Sequence, residues 1–493
     1  MTGRDDSPKP RPLVIAVACG VAVTAGLMLL PIPLGLPGEW VWERRPLSIG
    51  WLLGTITASL LAAGYVAVAD RIAAGISGPV PASRLAALTL AGFALIALLP
   101  VTLADGTGNA RVPIVLYFPA FSGYFTEART DERPVAAFLA DYERVVAEGD
   151  YLHQGTHPPG LILLYRGAFA AVRHVPGLRT LLESMRLTST EAAMQSLREL
   201  DPTLTPDDFA VLQLANIGTL LTAALVVVPL VRLLERVCRP SDAILAASLW
   251  PLVPALAIFS PKSDLLLPIV PLTVAALWVS AIDATTKRAV LRGAAAGAVA
   301  FCGLLISLAV LPAYVGVLIG SLVARPRPQV AAIAGGVVGF TLPVAIFAGF
   351  GCMLPGIWLG NAANHAAFYD HYPRSYWPWL AINELETGIA IGLPTITLGL
   401  FGRARPLPST GPSVRIVFGV VAAWIVLALS GRNLSEVARL WIVLFPWLIA
   451  AIVVFRGGLA RKDWLVVASG LVVTTPITVH TVDGFNLTRF FAG

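Results

Sequence analysis

Charged residues are scarce in this chain. Asp, Glu, Lys and Arg make up 13% of its 493 residues, whereas hydrophobic residues make up 56%. A soluble globular chain carries about 25% charge. Apolar runs long enough to cross a hydrocarbon core of about 30 Å recur along the whole sequence. Together these features exclude an ordinary soluble protein and predict an integral membrane protein.

The sequence has few cysteines and no nucleotide-binding motif. Cys19, Cys238, Cys302 and Cys352 are scattered and form no CxxC pair, so we expect neither a disulfide framework nor a structural zinc. A Walker loop and a GxGxxG motif after a strand are both missing. An activated substrate must therefore come from a membrane-borne or small diffusible donor. The net charge of +6 comes mostly from arginines in short connections, which indicates membrane topology and not nucleic-acid binding.

Helices are the predicted form of the apolar runs. Only helices and closed barrels satisfy the backbone in lipid, and these runs lack the alternation of strands. We therefore expect an all-α, polytopic fold, with one integral membrane domain over residues 1–493 and about 13 transmembrane helices. The short run 158–173 is interrupted by Arg166, and a full crossing there would place the arginines of 232–239 outside. A re-entrant or interfacial helix is predicted for it instead.

The polar loops fall on the side away from the cytoplasm once the arginines set the topology. Two of them are long: residues 105–208, which include the element Thr156-His-Pro-Pro-Gly160, and residues 351–384. An amphipathic helix lying on the membrane surface is predicted over Arg133–Glu148. Polar residues gathered on one outer face favour an externally facing catalyst or receptor. A transporter would place charge at mid-membrane.

Two histidines stand just before an apolar run, in Asp150-Tyr-Leu-His153-Gln-Gly-Thr-His157-Pro-Pro. Gly155 and the Pro-Pro pair favour an extended turn at this point. The histidines are candidates for contact with an anion or substrate. The sequence leaves open a metal site and a purely structural helix start.

Carboxylates precede the histidines in the same loop. Glu127 and Asp131 are candidates for a general base, since partial desolvation makes a carboxylate a better proton acceptor. The alternative is that they are solvated loop charges neutralised by Arg129 or Arg133.

Two short turns carry charge at predicted helix ends. Lys262 suits a phosphate and Asp264 suits a sugar hydroxyl or a cation, although ordinary turn chemistry explains the same residues. Arg439 lies one turn into a late helix, where an unpaired charge is expensive, and Glu436 is its expected partner. Ser435 is the expected cap of that helix. A guanidinium is a natural clamp for a lipid-linked phosphate, and a structural ion pair is the alternative.

The second long loop is rich in aromatic and amide side chains. His365, Arg374 and Asn383 are candidates for sugar stacking and hydrogen bonding. Trp377 and Trp379 are expected to belong to an interfacial aromatic belt.

These motifs resemble the GT-C superfamily of polytopic glycosyltransferases, above all its bacterial branch of aminoarabinose and lipid A-core sugar transferases. Ser122-Gly-Tyr-Phe-Thr-Glu-Ala128 is similar to the start of the family's outer loop. Thr156-His-Pro-Pro-Gly160 is similar to its His-Pro-Pro element, and Phe259-Ser-Pro-Lys-Ser-Asp264 to an aromatic, serine and acidic turn. The likeness covers about residues 105–270 and departs from the family in two ways. Two extra helices precede the loop, and Ser122 or Gly123 stands where an aspartate is expected.

The resemblance implies a glycosyltransferase of the bacterial plasma membrane, with its active site on the outer face. It would move a sugar from a polyprenyl-phosphate donor to a glycan or glycolipid acceptor, with inversion. Glu127 would be the base, while Lys262, Arg439 and His157 would hold the phosphate. No cofactor is required, and a divalent cation is left open. A transporter or flippase for a lipid-linked saccharide, or a non-catalytic envelope-assembly subunit, are the competing hypotheses.

Overall fold

Helices dominate the chain. The structure, a computed structural model, describes residues 12–103, 107–149, 154–324, 329–405 and 411–485. The α-helices are α1 (Pro12–Leu29), α2 (Ile49–Ala73), α3 (Ala82–Leu98), α4 (Thr107–Tyr117), α5 (Tyr124–Thr130), α6 (Val135–Ala140), α7 (Tyr142–Ala147), α8 (Gly160–His174), α9 (Leu178–Ser184), α10 (Thr188–Leu200), α11 (Pro206–Leu225), α12 (Val227–Leu234), α13 (Pro240–Ala247), α14 (Pro254–Ile258), α15 (Ile269–Ile282), α16 (Thr286–Ile306), α17 (Leu311–Leu322), α18 (Val330–Gly349), α19 (Leu354–His371), α20 (Tyr376–Ile391), α21 (Leu393–Phe401), α22 (Pro412–Leu429), α23 (Val437–Leu440), α24 (Phe445–Arg456) and α25 (Arg461–Thr481). The all-α prediction is confirmed.

Short 3₁₀ turns and two small strand pairs complete the described fold. The 3₁₀ turns are Pro100–Thr102, Gln154–Thr156, Trp250–Leu252, Ser263–Leu266, Leu308–Val310 and Ile442–Leu444. The strands are β1 (Gly35–Leu36), β2 (Trp40–Val41), β3 (Glu43–Arg44) and β4 (Val482–Asp483). The antiparallel pairs are β1 with β2 and β3 with β4. The second pair joins two loops that are more than 400 residues apart in sequence.

The chain is a multi-pass membrane protein. Within the described ranges, 10 helical segments are long and apolar enough to cross a membrane. They are Pro12–Leu29, Ile49–Ala73, Ala82–Thr102, Pro206–Leu234, Pro240–Ile258, Ser263–Ile282, Thr286–Ile306, Val330–Gly349, Pro412–Leu429 and Arg461–Thr481. Two shorter apolar segments are Leu308–Leu322 and Ile442–Arg456. The count of about 13 transmembrane helices stays a prediction.

Two predictions for the first long loop have different outcomes. The run 158–173 forms α8, which is not among the segments of spanning length; its re-entrant or interfacial placement stays a prediction. The single amphipathic helix over Arg133–Glu148 is wrong. The structure has two short helices, α6 and α7, that meet at Asp141. The Asp141 carboxylate accepts hydrogen bonds from Arg133 and Arg144, and this local network takes the place of a continuous helix.

The apolar residues of α6 and α7 pack inward. Phe138, Leu139 and Tyr142 belong to a second core that also contains Phe125 of α5 and Ile162 of α8. This core is separate from the large one formed by the spanning helices. Phe301 of α16 and Ile357 of α19 belong to the same core, so the helices α5 to α10 form a cap that packs against the membrane helices.

Polar contacts sort the loops into two groups. The first group links the predicted outer loops: Arg45 to Asp483 (3.3 Å), Ser375 N to Glu39 (2.9 Å), Arg374 to Ser435 (3.2 Å) and Lys262 to the carbonyl of Phe121. The second group links the arginine-rich connections: Arg405 to Asp242 (2.8 Å), Arg461 to Asp70 (2.6 Å) and Arg232 to the carbonyl of Val80 (3.0 Å). We name these the site end and the arginine end. The contacts thus divide the loops into the same two groups that the distribution of arginines predicts. The compartment that each end faces stays a prediction.

Small residues allow close helix packing beside the site end. Gly316 of α17 lies against the backbone of Val420 on α22, so closely that an added Cβ would overlap it. Such glycines let two helix backbones approach each other in a membrane. Because α17 and α22 flank the cavities described below, this contact sets the position of one cavity wall.

Gly316→Ala is expected to destabilise the protein by about 1–3 kcal/mol, since the new methyl group overpacks a backbone contact. Thermal unfolding in detergent measures the effect. Gly64→Ala is the matched control, because no atom lies within 4 Å of an added Cβ there. Equal unfolding temperatures for the two variants would contradict the packing assignment.

Candidate functional site

Two cavities meet at the site end. The first has a volume of about 310 Å³, and we name it the aromatic chamber. Its aromatic side chains are Trp40, Trp42, Phe121, Phe259, Phe368, Tyr369 and Phe485. Ser435, Glu436 and Asp483 add polar groups to the same wall. Loops from the beginning, middle and end of the chain therefore build one lining.

The second cavity has a volume of about 390 Å³, and we name it the aliphatic chamber. One wall consists of Leu308, Leu311, Leu427, Leu440, Val443 and Leu444. Tyr124, Asp264, Asn361 and Arg432 contribute polar groups. Leu311 is also 40% exposed on the helix bundle. The chamber therefore reaches the apolar surface of the protein beside α17.

The two chambers share a common wall, which we name the junction. It consists of Thr156, His157, Lys262, His365, Arg439 and Leu440. Two cationic side chains and two imidazoles thus lie where the aromatic and aliphatic linings meet. An anion placed at the junction would be in reach of both chambers.

Local structure brings His157 and Lys262 to the junction. His157 lies between the 3₁₀ turn Gln154–Thr156 and the Pro-Pro pair that precedes α8. Its ring packs edge-on against Tyr124, with centroids 5.5 Å apart. Lys262 occupies the short turn after α14, is 8% exposed, and donates a hydrogen bond to the carbonyl of Phe121. Both residues are thus held by neighbours from other loops.

Burial changes the chemistry of Lys262, which lies between two membrane-spanning segments and not within one. Desolvation and the nearby Arg439 lower the pKa of its ammonium from 10.5 to about 8, while Asp264 and Glu436 act in the opposite direction. Lys262 is therefore protonated at neutral pH and loses its charge as the pH rises through about 8.

Arg439 forms an ion pair inside the site. Its Nη2 lies 2.8 Å from Glu436 Oε2, one helical turn away, and this confirms the partner expected from the sequence. Its Nε is buried and, among the described residues, has no hydrogen-bond partner. A buried donor without an acceptor is costly. Arg439 thus keeps hydrogen-bonding capacity that its bond to Glu436 does not use.

The turn that carries Glu436 is strained. Ser435 (φ 72°) and Glu436 (φ 54°) are both in the left-handed region, which side chains other than glycine occupy at a cost of about 1–3 kcal/mol each. Asn383 accepts from Ser435 N (3.2 Å) and donates to the carbonyl of Asn433 (2.8 Å). Glu386 accepts from Ala438 N (3.0 Å). These buried bonds hold the turn in its unusual conformation.

The expected cap of this helix is absent. Ser435 makes no capping bond to α23, because the left-handed Glu436 precedes the first helical residue. Its hydroxyl instead accepts a hydrogen bond from Arg374 Nε at 3.2 Å. The prediction that Ser435 caps the helix is wrong for this geometric reason.

The structure brings together most of the residues singled out from the sequence. The lining residues among them are His157, Lys262, Asp264, His365, Glu436 and Arg439. Arg374 and Asn383 lie behind the wall and support the 433–436 turn. His153 lies outside the described residues.

Glu127 and Asp131 do not belong to the lining of either chamber. Glu127 accepts a hydrogen bond from Gln154 Nε2 at 3.2 Å. Asp131 forms ion pairs with Arg133 (2.7 Å) and Arg166 (3.2 Å), and the hydrogen bonds from Arg133 lower the pKa of its carboxyl. Asp131 thus ties α5 to α8, while Glu127 braces the segment that leads to His157.

The belt assignment fails for one tryptophan. Trp377 is 76% exposed, whereas Trp379 is fully buried. Trp379 donates a hydrogen bond to Glu39 at 2.7 Å and packs at a tilt against Trp40, with ring centroids 6.2 Å apart. It anchors the 31–48 loop to α20 because that loop supplies an acceptor that the local sequence does not reveal.

Several lining residues were not singled out from the sequence. They are Trp40, Trp42, Tyr124, Tyr369, Asp483 and Phe485. The available signal was an aromatic pair in a short polar loop and an aspartate directly after the last membrane helix. Neither pattern shows which distant loop these residues will contact in the folded protein. Pairing of β3 with β4 and the ion pair between Arg45 and Asp483 decide this in three dimensions.

No protein-family model matches the sequence, and none of the curated proteins compared with it matches either. Within the described part of the chain, no group of three His, Cys, Asp or Glu residues could hold a metal ion. The geometry of the junction and its two chambers therefore carries the functional interpretation.

A singly charged phosphodiester is expected to bind about tenfold more weakly at pH 9.5 than at pH 7, since Lys262 loses its proton in between. The charge of a phosphodiester does not change over this range, so the protein is the source of the effect. Calorimetric titration of the purified protein with a short-chain prenyl phosphodiester measures it.

Lys262→Met should bind this probe weakly and with little pH dependence. Lys287→Met, in the first turn of α16, should behave like the wild-type protein, since Lys287 lines neither chamber. A wild-type affinity that stays constant from pH 7 to 9.5 would exclude Lys262 from anion binding.

Proposed function

We propose that this protein is a membrane glycosyltransferase that takes a sugar from a polyprenyl-phosphate donor and transfers it to an envelope glycan or glycolipid. The cationic junction between an aliphatic and an aromatic chamber is the observation that carries the proposal. The reaction brings together a lipid tail, a phosphate and an acceptor, and each of these three has a matching surface in this site.

The phosphate of the donor matches the junction. Arg439 offers a planar guanidinium with a buried Nε that has no acceptor among the described residues, and Lys262 adds a second positive charge. Charge-assisted hydrogen bonds of this kind are about twice as strong as neutral ones. In a site away from bulk water they also stabilise the negative charge that develops on a departing phosphate.

The lipid tail matches the aliphatic chamber. Leu308, Leu311, Leu427 and Leu444 line it, and the exposure of Leu311 continues that lining onto the outside of the bundle. Each buried CH₂ group of a prenyl chain contributes about 0.8 kcal/mol. A tail could therefore enter from the membrane while its phosphate lies at the junction.

The acceptor matches the aromatic chamber. Trp40, Phe259 and Phe485 present ring surfaces, and Glu436 and Asp483 present hydrogen-bond acceptors. Aromatic faces beside carboxylates suit the apolar faces and hydroxyl groups of a sugar ring. The acceptor hydroxyl would then approach the junction from the side opposite to the lipid.

Transfer follows from this arrangement in one displacement. The acceptor oxygen forms a bond to the anomeric carbon as the bond from that carbon to the phosphate oxygen breaks. The electron pair leaves with the polyprenyl phosphate, and a carboxylate takes the proton of the acceptor hydroxyl. Attack opposite to the leaving group inverts the configuration of the anomeric carbon.

Arg439→Gln is expected to lower transfer at least 100-fold, because the leaving phosphate loses its main cation. Purified protein is incubated with radiolabelled polyprenyl-phosphate sugars and a membrane extract from the source organism, and labelled product is counted. Arg179→Gln, on the exposed cap helix α9, is the matched control and should keep full activity.

The same assay separates the competing functions. Wild-type protein that binds the donor but transfers no label from any polyprenyl-phosphate sugar would overturn the proposal. In that case, passage of a lipid-linked saccharide across proteoliposomes would identify a flippase.

A further inference from the structure

The structure assigns a specific role to Glu436: we propose that it is the general base of the transfer, and that the donor phosphate activates it by weakening its ion pair with Arg439. This inference rests on the proposed function and names the residue that takes the proton. It differs from the expectation, drawn from the resemblance, that Glu127 is the base.

Glu436 lies on the correct side of the junction. A displacement needs its base on the acceptor side and its cations on the leaving-group side. Glu436 lines the aromatic chamber only, whereas Arg439 and Lys262 line both chambers. Glu127 lines neither chamber and is bonded to Gln154.

Two other carboxylates of the site are less suitable. Asp483 lines the aromatic chamber, but it is held by Arg45 at 3.3 Å and accepts from the backbone of Phe485. Asp264 lines the aliphatic chamber, on the side assigned to the lipid. Among the described lining residues, Glu436 thus meets both requirements. It lies on the acceptor side, and its partner Arg439 is a cation that a phosphate can also bind.

The strained turn gives independent support. Glu436 and Ser435 occupy left-handed conformations although neither is glycine. Strain of this kind persists only where surrounding structure enforces it, and it clusters at functional sites. Here Asn383, Glu386 and Arg374 enforce it from α20 and the segment before it. Their effect is to fix the Glu436 carboxylate on the aromatic side of the junction, next to Arg439.

Activation follows from exchange of anions at Arg439. In the resting protein, Glu436 Oε2 is paired with the Arg439 guanidinium at 2.8 Å. A bound phosphate shares the guanidinium and adds a second negative charge nearby. Competition for the guanidinium weakens its contact with Glu436, whose carboxylate can then turn to the acceptor hydroxyl. The carboxylate takes the proton from the acceptor hydroxyl and releases it to solvent after the product leaves.

Glu436→Gln tests this inference because it separates binding from transfer. The variant should transfer at least 100-fold more slowly, which is the lower range for loss of a general base. It should bind a short-chain prenyl phosphodiester severalfold more tightly than the wild-type protein, since a competing negative charge is gone. A residue with only a structural role would weaken binding as well as transfer.

Glu127→Gln and Glu191→Gln are tested beside it. Glu191→Gln replaces an exposed carboxylate on α10 and should behave like the wild type. Glu436→Asp should recover part of the transfer rate, and thermal unfolding shows that each variant is folded.

Two results would overturn the assignment. One is full transfer by a folded Glu436→Gln variant, with loss of transfer in Glu127→Gln. The other is weaker binding of the phosphodiester by Glu436→Gln. Absence of transfer by the wild-type protein is a different outcome, since it refutes the proposed function and not the choice of base alone.

Discussion

The ion pair between Arg439 and Glu436 is the interaction on which the site depends. Taking a charge out of water costs several kcal/mol, so a cation beside an apolar bundle needs an anion. Glu436 supplies it at 2.8 Å, and Asp264 and Glu436 together favour the charged form of the nearby Lys262. The resting site is therefore neutralised from within. Any anionic ligand must compete with these carboxylates, so its binding changes the state of the protein's own charges.

The division into two chambers follows from where their walls originate. The aliphatic wall comes from α22, which is long and apolar enough to cross a membrane, and from two shorter apolar segments, Leu308–Leu322 and Ile442–Arg456, with Leu440 before the second. Much of the aromatic wall comes from the 31–48 segment and from the residues that follow α25. Pairing of β3 with β4 brings these two stretches together. Polar side chains are costly inside a membrane, so a membrane helix presents mainly apolar side chains. Loops can also present aromatic rings, amides and carboxylates. A ligand with a lipid tail and a polar head would therefore take one orientation in this site.

Sequence reasoning succeeds here where a signal is local. Hydrophobic length identifies the membrane helices, and polar residues are so rare that Lys262, Glu436 and Arg439 stand out as members of one site. Sequence reasoning fails where the position of a side chain depends on a partner that is distant in sequence. Trp379 is buried because Glu39 accepts its N–H, and Arg374 and Asn383 turn toward the 433–436 loop instead of the cavities. Serine is a residue type that commonly caps helices, but Ser435 and Glu436 are both left-handed, and this changes how the helix begins. The lining roles of Trp42 and Asp483 depend on a strand pair that no local pattern predicts.

Arginine at position 439 has a property that lysine would lack. Its planar guanidinium has several donors in fixed directions, and here Nη2 binds Glu436 while the buried Nε has no acceptor among the described residues. The Arg439 side chain is 27% exposed, so a phosphate can approach it while the bond to Glu436 is still in place. At no stage of this exchange is the guanidinium left without an anion, so its partly desolvated charge stays neutralised. The donors of a lysine ammonium rotate freely, so they would not hold the two anions in fixed directions. Binding of the donor phosphate and release of Glu436 from its ion pair are thus coupled through the side chain of Arg439.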